Sequence, residues 1–211
     1  IDILINSKEN LGFPKGVNTG FQEVKSKFFG ILNNDILFST DWLKKLKTPF
    51  FYDERIAITS PLRLKRQGTL EVIQYQYEKI DNFPIWQDYL DIPLSELKIK
   101  IEEYNKNLDN FFNEKIAFST EHTMTPFFCV LLRSDIFKEI GGLDEDFGIG
   151  LTEDTYYCRL IRNKGYCIAV VLNCFVYHFV SRTFLLKYTE KEMRDMMIEH
   201  HKLMEEKLKK R

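Results

Sequence analysis

The sequence predicts an α/β layer protein: a mostly parallel sheet flanked by helices, with a helical insertion in its middle and a helix at its C-terminal end. Three observations carry this. Short β-like apolar runs alternate with stretches of helical spacing. Glycine-punctuated turns join the two kinds of segment. The 211 residues, 44% hydrophobic and 29% charged, can bury one sizeable core, so residues 1–211 read as a single domain.

Taken in order, the strand candidates are residues 2–5, 28–32, 56–60, 127–132 and 166–171. Residues 17–24 read as a short helix after a glycine-bearing loop. Ser39 is placed to cap a helix through Leu46, with Trp42, Leu43 and Leu46 on one face and Pro49 ending it. Ser134 is placed to cap another, carrying Ile136, Phe137 and Ile140, with Gly141 as its stop. Residues 64–125 differ in texture, rich in Gln, Tyr, Glu, Lys and Asn, and read as an insertion. Within it Leu97, Ile101, Tyr104, Leu108 and Phe111 recur at helical spacing and predict one amphipathic helix packed on the core. Residues 185–211 read as a C-terminal helix docking Met193, Met197, Leu203 and Leu208, with its basic end suiting a helix C-terminus.

Thirty Lys plus Arg against thirty-one Asp plus Glu give a formal charge of −1, which removes the field that draws proteins to nucleic acid. Cys129, Cys158, Cys167 and Cys174 form no CxxC pair and suit reduced thiols in the cytoplasm. No apolar run reaches the roughly 18 residues of a membrane span. The basic end Lys209-Lys210-Arg211 leaves room for peripheral contact with the inner face of a membrane. The apolar alternation Ile1-Asp2-Ile3-Leu4-Ile5 starts at residue 1, so the chain reads as a piece of a longer protein.

Four constellations carry chemistry. The segment from Asn10 to Gly20, with Gly12, Phe13, Gly16 and Asn18, lets backbone approach a ligand before a helix begins; it has neither GxGxxG nor P-loop spacing. Asn33-Asn34-Asp35 closes an apolar strand, where side chains of an open α/β sheet emerge at the ligand crevice, and Asp35 suits a hard divalent cation. An ordinary turn is the alternative there. Asp144, Glu145 and Asp146 lie between glycines ahead of Thr152, which is placed to cap a helix through Asn163 that starts on Glu153 and Asp154 and stops at Gly165. The helix dipole favours an ionised carboxylate there, able to accept a proton. His178 follows an apolar strand and can complete an oxygen-rich metal site with Asp35 if the two strand ends converge, although a hydrogen-bonded structural histidine is the commoner case. Cys158, Cys167, Cys174 and His178 lack the spacing of a structural zinc site.

The ordered series resembles the family 2 glycosyltransferases with the GT-A (Rossmann-like) fold. It runs from Asn10-Leu11-Gly12-Phe13 with Gly16-x-Asn18-x-Gly20, through Leu32-Asn33-Asn34-Asp35 and 129–134 with Phe137-x-x-x-Gly141-Gly142-Leu143-Asp144-Glu145, to Glu153-Asp154-x-x-x-Cys158 and His178. The resemblance covers roughly residues 3–62 and 127–184. It implies an inverting hexosyltransferase-type enzyme that moves a sugar from a UDP- or GDP-type donor to a glycan or lipid-linked acceptor in surface-polysaccharide assembly, with Mg2+ or Mn2+. It implies Asp35 and His178 as metal ligands, Asp154 as the base with Glu153 beside it, and Asp144 and Glu145 near the donor or acceptor sugar. Gly12, Phe13, Gly16, Asn18, Asn33 and Asn34 would line the nucleotide. Two departures stand out: Asn33 replaces the first aspartate of the DxD-type motif, and the β-α-β unit that opens family members, about 30 residues, does not precede Ile3. A non-catalytic sugar-nucleotide or glycan-binding module on the same fold is the alternative. A nucleotidyltransferase would need a basic glycine-rich phosphate loop, and none is seen.

Overall fold

A computed structural model of the chain describes residues 3–62, 86, 92–119, 125–179 and 187–210. Among the described residues six strands form one sheet: β1 (Phe28–Leu32), β2 (Ile36–Phe38), β3 (Ile56–Leu62), β4 (Ile116–Phe118), β5 (Cys129–Arg133) and β6 (Cys167–His178). Their order is β1-β5-β3-β6-β2, with β4 also paired to β6. The helices are α1 (Gly12–Phe21), α2 (Trp42–Lys47), α3 (Leu94–Phe111), α4 (Ser134–Ile140), α5 (Glu153–Asn163) and α6 (Glu190–Lys209).

The α/β layer class holds, but the expected mostly parallel sheet is corrected to a mixed one. Among the described residues β3 and β6 are parallel neighbours, while β1 and β3 each run against β5, and β2 and β4 each run against β6. Continuous apolar runs mark strands covered on both faces, and such runs are commonest in parallel sheets. Here helices cover both faces of an antiparallel strand. Cys129 and Leu131 of β5 pack with Leu46 and Phe50 on one side, and Val130 and Leu132 pack with Phe137, Tyr157 and Ile161 on the other. Strands β1, β3 and β6 share one direction, so their carboxyl ends lie at one edge of the sheet.

The expected strand at 2–5 does not form over Ile3–Ile5, which are exposed and pair with nothing among the described residues; Ile1 and Asp2 lie outside them. A strand is stable only where a neighbour takes its backbone N–H and C=O groups. Helix α1 begins at Gly12 rather than 17, with the Gly12 N–H donating to Asn10 Oδ1 at 3.0 Å and Pro14 tolerated in the first turn. Ser39 does not cap α2: it is buried, and Asp41, at φ 61°, precedes the helix. Ser134 is itself helical and donates to the Ser26 carbonyl.

The insertion supplies α3, which buries Leu97, Ile101, Tyr104 and Leu108 as its spacing predicts, leaves Phe111 half-buried, and adds strand β4; residues 64–85, 87–91 and 120–124 of it lie outside the described residues. Trp86 packs its ring against Tyr104, Phe175 and Tyr177. Helix α6 opens with a reciprocal capping box between Thr189 and Glu192 and buries Met204 against Phe147, Tyr156 and Leu160. Of its predicted face, Leu203 and Leu208 dock, while Met197 is exposed.

Candidate active site

Strand β1 ends at Leu32, and the Asn33 N–H is tied to the Phe128 carbonyl at 2.8 Å, just ahead of β5. The chain then turns into β2, whose Ile36 sits in register with His178 at the end of β6. The Phe179 N–H donates to the Asp35 carbonyl at 3.0 Å. This pairing sets His178 Nε2 3.2 Å from Asp35 Oδ1 and 3.4 Å from Asn33 Nδ2. The imidazole stacks on Phe128, nearly parallel at 4° with centroids 4.8 Å apart. Two residues 143 positions apart in sequence thus meet where the carboxyl ends of β1 and β6 converge. Asn34 is exposed beside them.

The donor set suits a small hard cation. In octahedral coordination with bonds of about 2.1 Å, adjacent ligand atoms are roughly 3.0 Å apart, close to the observed carboxylate–imidazole spacing. Only two such protein ligands meet here, and no group of three or more His, Cys, Asp or Glu side chains that could hold a metal occurs among the described residues. Remaining positions would belong to water and substrate phosphate, the usual arrangement for Mg2+-type ions. Cys129, Cys158 and Cys174 are buried, and burial raises each thiol, that of Cys129 to about 12, so they stay protonated and poor ligands.

A second cluster forms where α5 begins. Helix α5 returns through a short turn at Gly165, φ 82°, into the start of β6, so its N-terminus points to the edge at which β6 ends. Thr152 precedes it without capping through its side chain, and its hydroxyl instead contacts the Leu151 carbonyl. Glu153 is buried and accepts from the Thr152 N–H at 2.9 Å. Burial first, and the negative charge of Asp154 second, push its carboxyl up to about 7. Asp154 is half-buried, and its Oδ1 accepts from the Thr155 N–H at 2.6 Å and hydroxyl at 3.2 Å.

The glycine-rich start of α1 seats this cluster. A Cβ on Gly12, at φ 72°, would lie 2.1 Å from the Gly148 carbonyl oxygen, and the Phe13 N–H reaches the Ile149 carbonyl at 3.3 Å. Gly150, at φ 121°, leaves room for the Glu153 carboxylate beside Phe13. Gly16 is exposed with nothing near its Cβ position. Asn18 is bound to the 142–145 loop: its amide donates to the Leu143 carbonyl and to Glu145 Oε1, and its oxygen accepts from the Leu143 N–H. Asp144 is engaged at both oxygens, by the Asp146 N–H and by Lys207 of α6. Partial burial draws the Lys207 ammonium down, but its hydrogen bonds to Asp144 and Asp146 outweigh this and hold it above its ordinary value. A hollow of about 310 Å³ between α1, α4 and α5 is lined by Asn18, Gly142, Asp144, Glu145 and Tyr156, and shares no residue with the Asp35–His178 pair.

Sequence reasoning missed Lys207, whose position near a helix C-terminus reads as an ordinary dipole partner. It also missed Phe128; an aromatic pair just ahead of a strand was the available signal.

A mixed sheet whose aligned carboxyl ends present a carboxylate–imidazole pair, with a carboxylate-headed helix pointing to the same edge, has the layout of an α/β protein that binds its ligand at the carboxyl ends of its strands. Glycosyl transferase family 2 matches residues 3–141, and the chain belongs to that family. Among solved structures, the crystal structure of GalNAc-T7 with UDP, GalNAc and Mn2+ shares the fold, with a TM-score of 0.52 at 16% sequence identity. The alignment covers 82% of this chain and 31% of that one, so this chain spans under a third of that neighbour. No curated protein matches the chain. No helix among the described residues is long and apolar enough to cross a membrane.

Proposed function

We propose that this domain transfers a hexose-type sugar from a nucleoside diphosphate donor, UDP- or GDP-linked, to a hydroxyl of a glycan or lipid-linked acceptor, with inversion at the anomeric carbon. The observation that carries the reading is the meeting of Asp35 and His178 at 3.2 Å on the carboxyl edge of the sheet, where open α/β sheets bind ligands. The neighbour's complex with UDP, GalNAc and Mn2+ supports a nucleotide-sugar donor and a divalent ion. Asp35 and His178 would hold Mg2+ or Mn2+, which when bound supplies positive charge to the departing diphosphate.

The chain's own residues supply the rest. The acceptor oxygen attacks the anomeric carbon as the bond to the diphosphate oxygen breaks and that oxygen keeps the electron pair. The acceptor proton passes to Asp154, whose carboxylate is oriented by Thr155. Glu153 supports that assignment: burial, and after it the charge of Asp154, raise its carboxyl to about 7, which favours Asp154 as the proton acceptor of the pair. Gly12 and Phe13 hold the 148–150 backbone against α1, which positions the start of α5.

The test is Asp154→Asn in the full-length enzyme. Transfer from a nucleotide sugar is expected to fall by at least about a hundredfold while UDP binding by calorimetry stays within about threefold. Turnover that survives this change removes Asp154 as the base.

A further inference from the structure

The loop that joins α4 to α5 carries five residues in the left-handed region, Gly141, Gly142, Gly148, Gly150 and Leu151. Glycines at such positions allow the path but leave it many alternatives in the unfolded ensemble, so contacts from outside must fix it. It also carries three consecutive carboxylates, Asp144, Glu145 and Asp146, which repel one another. Helix α1 holds one side through Asn18 and Gly12.

The other side is held by α6. His200 meets the Phe147 ring edge-on at 5.6 Å, Met204 is buried against the same ring, and Lys207 reaches Asp144 at 2.8 Å and Asp146 at 2.6 Å. These residues recur every three or four positions, so one face of α6 covers the Glu145–Phe147 turn. Arg159 of α5 bonds Glu205 at 2.7 Å, which ties α6 to the helix that begins on Glu153 and Asp154 as well.

We infer that α6 is a clamp on the site loop and that Lys207, through Asp144 and Asp146, is a positioning residue for the Glu153–Asp154 carboxylates. The inference rests on the functional reading above. Lys207 touches neither the Asp35–His178 pair nor the reacting atoms; it fixes the loop from which α5 starts.

The experiment compares Lys207→Met, which keeps the stem and drops the charge, with Lys207→Arg, which keeps the charge, and with Asp146→Asn at the most exposed member of the cluster. Hydrogen exchange is read at the Phe147, Gly148 and Gly150 amides, which close the turn on Asp144, Glu145 and Phe147. Lys207→Met is expected to speed exchange there by about tenfold or more, with a smaller rise for Asp146→Asn and recovery in Lys207→Arg. In turnover assays kcat should fall about tenfold with the donor KM and Tm unchanged, again rescued by arginine. Unchanged exchange in Lys207→Met overturns the clamp, and so does faster exchange with wild-type kcat or a fall in kcat that arginine does not restore. If the wild-type enzyme transfers no sugar, the functional reading fails and the exchange arm alone decides the clamp.

Discussion

Asn18 and Leu143, 125 residues apart, exchange two hydrogen bonds, amide to carbonyl at 2.8 Å and backbone N–H to amide oxygen at 2.9 Å. One helix side chain thereby closes the backbone of the loop that carries the site carboxylates.

Replacing Asn18 by Ala leaves both Leu143 groups without that partner in a half-buried place, which should destabilise the fold by about 2 kcal/mol. Asn18→Asp should be no better, because it keeps the acceptor for the Leu143 N–H but sets a carboxylate against the Leu143 carbonyl and Glu145 Oε1. Urea unfolding measures both. An alanine variant within about 0.5 kcal/mol of wild type would show that the pair does not hold the loop.

Two glycines of the same helix should respond in opposite directions. Gly12→Ala forces a Cβ into the Gly148 carbonyl at a positive φ, where neither backbone can give way easily, and should cost about 3 kcal/mol or more. Gly16→Ala meets open space within α1 and should stabilise by about 0.5–1 kcal/mol. Thermal melts of the two variants side by side give the sign of each.

The local code is well written in this chain and the long-range code is not. Residues 28–32 are a strand because four apolar residues, Phe28, Phe29, Ile31 and Leu32, form a short run between polar turns, and α3 is legible because Leu97, Ile101, Tyr104 and Leu108 recur at its period. The direction of β5 was not legible, since an apolar run shows burial on both faces but carries no sign for its neighbours. Asp35 and His178 could each be singled out as chemistry-bearing, yet their contact depends on the register of Ile36 with His178, which no local pattern states. Lys207 escaped for the same reason: its two carboxylate partners lie about sixty positions away on a loop whose path is set by α1.

The carboxylate–imidazole pair makes a prediction about divalent ions. UDP binding should strengthen at least about tenfold on adding Mn2+, and Asp35→Asn and His178→Ala should each remove most of that gain. Calorimetry with and without a chelator reads this directly. His178→Ala also strips the stacked partner from Phe128, so Asp35→Asn is the cleaner of the two. Equal UDP affinity in chelator and in Mn2+ would remove the ion from the proposed site.

Glu153 should make stability fall as the solution becomes more alkaline. Its carboxyl titrates near 7 in the folded chain, raised by burial and by Asp154, against 4.5 for the ordinary group. Between those values the folded state holds a proton that the unfolded state has released. Its contribution is therefore fully present below about pH 4.5 and is lost as pH rises through about 7, a change on the order of 3 kcal/mol. Glu153→Gln mimics the protonated form and still offers an oxygen to the Thr152 N–H. Unfolding free energies from pH 5 to 8 should decline less steeply for this variant than for wild type, and the variant should be the more stable of the two at pH 8. Parallel slopes for the two proteins would mean that Glu153 is ionised throughout, and would return the buried charge, and with it the role of base, to an open question between Glu153 and Asp154.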